Sequence, residues 1–146
     1  MRASSKFTIA IHICIYLDYS NDQLVSSQTL AESVKTNPVV IRRLIGQLRR
    51  QGIVGSVAGA KGGFYLAKPV DQLTLWDIYL VVRDDEFFNK PKVNPDCVVS
   101  SNLAVLVDDV YSESEHSMKN SMEKVTVAQL TDKLSDILEG SPLNQC

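Results

Sequence analysis

Residues 38–66, PVVIRRLIGQLRRQGIVGSVAGAKGGFYL, constrain this chain most, because a basic helical pattern runs directly into a glycine-tipped hairpin pattern. Ile41, Leu44, Ile45 and Leu48 recur at threes and fours, which predicts a helix with one apolar stripe. Arg42, Arg43, Gln47, Arg49 and Arg50 fall mostly outside that stripe, so the anchored helix presents cations on its other side. Gly52 follows, at a place where positive φ is favoured. Residues 53–57 read as a strand, 58–63 as a turn and 64–66 as the returning strand. Upstream, Ser26 or Ser27 caps a short helix that turns Leu30, Ala31 and Val34 inward. Thr36-Asn37-Pro38 then makes a tight turn, with Asn37 as cap and Pro38 at the first helical position. Two short helices, a turn and a hairpin are the parts of a winged helix-turn-helix, whose second helix enters the major groove of DNA.

The net charge of the 146-residue chain is -2, which taken whole speaks against nucleic acid. Its distribution reverses that inference. Residues 1–70 hold nine Lys or Arg against three Asp or Glu, whereas residues 71–146 hold six against fourteen. The positive half is the half with the helix-and-hairpin pattern, and the acidic half would face away from phosphate. An apolar run from Phe7 to Leu17 resembles a secretory core, but His12 interrupts it and no small-x-small cleavage pattern follows. It reads as a core helix over about residues 4–19, with Phe7, Ala10, Ile11, Cys14 and Leu17 on one face. Neither this run nor any other suits a membrane span, and a cytoplasmic protein is expected. Three widely spaced cysteines, Cys14, Cys97 and Cys146, do not describe a disulfide framework.

Beyond the hairpin, Thr74 caps a helix with Leu75, Ile78, Val81 and Val82 inward. Residues 84–100 show neither period and read as a hinge loop, bordered by the aromatic residues Trp76, Phe87 and Phe88. From residue 101, apolar and small residues recur at helical spacing for about six turns. A lone helix of that length has nothing to bury its stripe against, so it is expected to pair with a second copy through Leu103, Leu106, Val110, Met118 and Met122. A final helix carries Val127, Leu130, Leu134, Ile137 and Leu138 and stops at Gly140. The fold class expected is mainly α with a small β-hairpin wing: a winged helix-turn-helix over 1–83, a hinge over 84–100, and dimerisation and C-terminal helices over 101–146.

Arg42 and Arg43, near the start of the basic helix, are placed to reach base edges. Arg49 and Arg50, two turns on, suit phosphate, and Lys61 at the hairpin tip suits the minor groove or a phosphate. No Ser-His-Asp, phosphate-loop or paired-carboxylate arrangement appears, so no catalytic residue is assigned. His12 and His116 stand apart from other ligand types, so no metal site is assigned either.

Met1-Arg2, Ser5-Lys6, the segment 48–54 (LRRQGIV), Ser56-Val57, Gly59, Gly62-Gly63, Leu66 and Leu73-Thr74-Leu75 resemble the Rrf2 family of bacterial winged-helix regulators. The resemblance covers about residues 1–82 at motif level and the rest by layout. It implies a homodimer on a pseudo-palindromic operator in double-stranded DNA, with crossed long helices joining the two winged domains. By position it puts helix contacts on Asn37, Val39, Arg42 and Arg43, and an N-terminal phosphate contact on Ser5 or Lys6. Two positions depart from the family pattern. Ala58 stands where some members have a basic wing residue, and the hinge has Cys97 alone where cluster-binding members have three close cysteines. Clusters need several thiolates, so no iron–sulfur cofactor is expected. Cys97 is then the candidate redox sensor in a regulator, expected to be a repressor, that answers thiol stress or a small ligand. The rival reading is a winged-helix module that docks on a metabolic enzyme without reading DNA.

Overall fold

The first helix is apolar over most of its circumference, and its burial explains the arrangement of the rest. In the computed structural model, which describes residues 3–83, 88 and 92–139, α1 spans Ala3–Tyr19. Ala10, Ile13, Cys14 and Leu17 are buried, and Phe7, Ile9, Ile11, Ile15 and Tyr16 pack half-buried around them. A helix with so wide an apolar surface needs neighbours on several sides. α1 has them in α2 (Ser27–Val34), α3 (Pro38–Arg50), β2 (Gly63–Leu66), α4 (Leu75–Val82) and α6 (Val127–Glu139). The single inward face expected from its sequence is therefore too narrow, because α6 returns to cover the other side.

That return also revises the expected grouping of the last helix with the dimerisation helix. Leu75 N–H donates to the Val125 carbonyl at 2.9 Å and Val127 N–H to the Leu73 carbonyl at 2.8 Å, so residues 125–127 are stitched to the start of α4. Val127 is fully buried in the winged-domain core. α5 (Val98–Glu123) rests against α4, but none of its residues is buried. It begins at Val98 rather than 101, so the hinge is shorter than expected and Cys97 becomes the N-cap residue. Asp84, Asp85, Glu86 and Phe87 lie outside the described residues, as do Gly140 to Cys146.

The ends of the helices follow their capping residues. Ser26 Oγ accepts from Thr29 N–H at 3.1 Å, and Asn37 Oδ1 accepts from Val39 N–H at 2.9 Å with Pro38 at the first helical position. α3 ends in a Schellman motif: Gly52 at φ +72° donates to Arg49 O, and Ile53 N–H donates to Leu48 O at 3.0 Å. The two-stranded hairpin pairs β1 (Val54–Val57) with β2 in antiparallel register, Val54 opposite Leu66 and Val57 opposite Gly63. Val25 adds a single-residue bridge on the far edge of β2, exchanging both backbone hydrogen bonds with Phe64.

Thr74 and Asp77 form a reciprocal capping box at the start of α4, and Lys68 Nζ meets Asp77 Oδ2 at 3.1 Å. Partial burial opposes the charged carboxylate, but the Thr74 backbone and Lys68 outweigh it and hold Asp77 below the usual aspartate range. A depressed folded-state pKa stabilises the fold above the ordinary aspartate range, and that contribution is lost as pH falls through the lowered value. Urea titrations should therefore show Asp77→Asn less stable than wild type near neutrality by about 1 kcal/mol, the cost of a lost cap. The difference should shrink on acidification below about pH 4.

Candidate nucleic-acid interface

α3 divides its residues sharply between protein and solvent. Ile41, Leu44, Ile45 and Leu48 are all 2% exposed or less, and at 100° per residue they define one side of the helix. Val39, Arg43 and Arg50 lie opposite, with Arg42 and Arg49 on one flank and Gln47 on the other. All four arginines are exposed, and none forms an ion pair with another described residue. Their charge is thus uncompensated at the surface, where it attracts a polyanion. Val39, 51% exposed, supplies an apolar group near the start of the helix, suited to a thymine methyl.

Asn37 is more committed than its sequence position indicates. Its side-chain oxygen caps α3, which leaves only the amide NH2 to meet a ligand. Ser5 is exposed at the start of α1, whereas Lys6 is half-buried and already engaged within the protein. Ser5 is therefore the freer of the two candidate N-terminal contacts.

The hairpin's glycines are spent largely on the fold. A side chain at Gly62 would collide with the Val57 carbonyl, and one at Gly55 with the Tyr65 ring lying across it. At Gly63 an added Cβ would sit 2.9 Å from the Val25 carbonyl, so this glycine lets the bridge at Val25 approach β2. Gly59, at φ +105° with open space around it, serves the turn itself. Gly62 N–H closes that turn on Gly59 O at 3.0 Å, and Lys61 stands exposed within it. Lys61 is the wing's cation where Ala58 is not. Gly63→Ala should cost roughly 1–3 kcal/mol in urea unfolding through this overpacking, while Ala58→Ser, on an exposed site, should cost under about 0.5 kcal/mol.

Away from α3 and the wing, α5 has two apolar faces where the sequence pattern suggested one. Val99, Leu103, Leu106 and Val110 form one exposed stripe, with Leu106 68% and Val110 60% exposed. Met118 and Met122, with Val107 and Tyr111, fall roughly 100° around the helix and are half-buried. Tyr111 stacks on Phe88 with ring centroids 4.3 Å apart, and Arg83 meets Glu115 at 3.4 Å. The expected pairing residues thus separate into Leu103, Leu106 and Val110 on the solvent side and the two methionines on another. Trp76 is buried and stacks on Tyr79.

Cys97 is half-buried at the α5 N-cap, its carbonyl accepting from Ser101 Oγ at 2.8 Å. Cys14 is fully buried, and burial pushes its thiol up to about 12, so it remains protonated. His12 Nε2 is engaged with Ser33 Oγ at 2.8 Å, and burial lowers its pKa. No group of three His, Cys, Asp or Glu able to hold a metal occurs among the described residues. No helix among the described residues is long and apolar enough to cross a membrane.

A helix-turn-helix with a basic second helix, a hairpin wing and a long projecting helix defines a winged-helix DNA-binding regulator. The model of the Rrf2 family, described as an iron-dependent transcriptional regulator, matches residues 3–133, and the chain belongs to this family. It is 31% identical over 133 residues to YwnA of Bacillus subtilis strain 168, described as an HTH-type transcriptional regulator. That alignment covers 90% of this chain and 98% of YwnA. A Lactobacillus plantarum crystal structure described as a transcriptional regulator superposes with a TM-score of 0.73 at 25% identity, covering 89% of each chain. T. potens IscR shares the fold, with a TM-score of 0.68 at 22% identity over all of this chain and 94% of its own. The family's members regulate transcription and are not enzymes.

Proposed function

We propose that two copies of this chain, joined through α5, bind a pseudo-palindromic DNA operator with one α3 in each half-site and act as a repressor. The observation that carries the reading is the set of four exposed arginines, unpaired among the described residues, opposite a sealed apolar stripe on α3. Arg42 and Arg43 read base edges, Arg49 and Arg50 hold phosphate, and Lys61 and Ser5 extend the contact on either side. Occupying an operator that overlaps a promoter excludes other proteins from the same groove, which is how binding alone would repress.

The exposed Val99, Leu103, Leu106 and Val110 stripe supports the paired state, since an apolar row of this kind on a helix about 39 Å long is costly to leave in water. A two-fold axis through that helix would relate two α3 helices, matching the symmetry of a palindrome. The hinge sequence holds Cys97 alone and Cys14 is sealed in the core, which supports a regulator that works without an iron–sulfur cluster of its own. Any thiol response belongs to Cys97 rather than to Cys14, which the core seals.

Selecting fragments from a random duplex pool tests the reading. Wild type should enrich a sequence motif and bind it with affinity falling steeply as salt rises. Arg42→Ala with Arg43→Ala should cost at least about 1–3 kcal/mol on that motif and erase the preference over unrelated duplex. A chain that enriches no motif would instead fit the protein-docking module.

A further inference from the structure

α3 carries a glycine that the fold itself does not require. Gly46 lies in the interior of the 13-residue helix, and a methyl group added there would have no atom within 4 Å. Alanine would fit and would favour the helix. At Gly62 and Gly63 neighbouring backbone excludes a side chain, at Gly55 the Tyr65 ring would have to move aside, and at Gly52 and Gly59 a positive φ favours glycine. Among the described glycines, Gly46 alone meets neither condition.

Its surroundings on the helix surface indicate what the vacancy is for. The neighbours of a helical residue lie three and four positions away. For Gly46 these are Arg42, Arg43, Arg49 and Arg50, all four exposed. Val39, one further turn back on the same side, is exposed as well. The glycine is thus a half-exposed stretch of backbone, with open space where a side chain would stand, at the centre of an arginine quartet and within about 30° of the line directly opposite the core.

A helix with its side chains is about 10–12 Å across, close to the width of the major groove. Its flanks meet the phosphate walls and its outermost line meets the floor. We propose that Gly46 is where α3 meets the edge of a base pair on that floor, and that the missing side chain sets the depth from which the four arginines reach their targets. This rests on the DNA-reading role of α3 given above. A Cβ at residue 46 would hold the helix away from the bases and lengthen the base-edge contacts of Arg42 and Arg43, while the long, flexible phosphate-contacting side chains adjust.

The test compares Gly46→Ala, Gly46→Gln and Arg43→Ala on the duplex that wild type selects from a random pool, and on an unrelated duplex. Gly46→Ala should melt roughly 2–5 °C higher than wild type, since helix propensity improves and nothing clashes. Its affinity for the selected duplex should nonetheless fall at least about tenfold, and that of Gly46→Gln further. Binding to the unrelated duplex should stay within about twofold, because the non-specific complex rests on phosphate contacts. Unchanged affinity of Gly46→Ala for the selected duplex, or equal losses on both duplexes, would overturn the proposal. If Arg43→Ala also leaves the selected complex intact, the DNA-reading role of α3 fails with it; if only Arg43→Ala loses binding, the role of the glycine alone is rejected.

Discussion

The packing of α1 on most of its sides is the constraint on which the rest of the structure depends. Each Ile or Leu sealed there contributes roughly 2 kcal/mol relative to exposure, and together they tie the helix-turn-helix, the wing strand and the last helix into one core. With α6 used in that way, only one side of α5 rests against its own chain, at α4, and the Val99–Val110 stripe is left exposed. Its exposed stripe and the arginines of α3 are two surfaces of opposite chemistry held in fixed relation by the same core. The apolar one suits a copy of the chain, and the cationic one suits phosphate.

Charge placement sharpens this division. The acidic half of the chain supplies α5 and α6, while the basic half supplies α3 and the wing, so an overall charge of -2 conceals a cationic interface. The ion pairs seen among described residues, Lys68–Asp77, Arg83–Glu115 and Lys119–Glu123, lie away from α3. Surface pairs of that kind add little to stability, but their placement leaves the arginines of α3 available to a partner.

Local chemistry made much of the architecture legible from sequence. Asn37, Pro38, Gly52 and Thr74 mark helix ends through their own side chains or backbone freedom, so their roles could be read before any fold was known. The apolar stripe of α3 was legible for the same reason, since burial on one side leaves a period. Long-range relations were not. The bridge at Val25 involves one residue and leaves no alternation, and the return of residues 125–127 to Leu73 and Leu75 is a backbone pairing with no side-chain signature. α5 concealed its two faces because Leu106 and Met118 fit one loose period while pointing roughly 100° apart. At the candidate interface, the arginines could be found by charge, but Gly46 gave no signal until an added methyl group was seen to meet nothing.

The central claim is that α5 joins two copies so that two α3 helices address one operator. A hydroxyl-radical footprint of the protein on its selected duplex tests this most directly. Two protected patches of equal depth, related by a dyad and about one helical turn apart or a multiple of it, are the predicted result. A single asymmetric patch with no dyad would contradict the account.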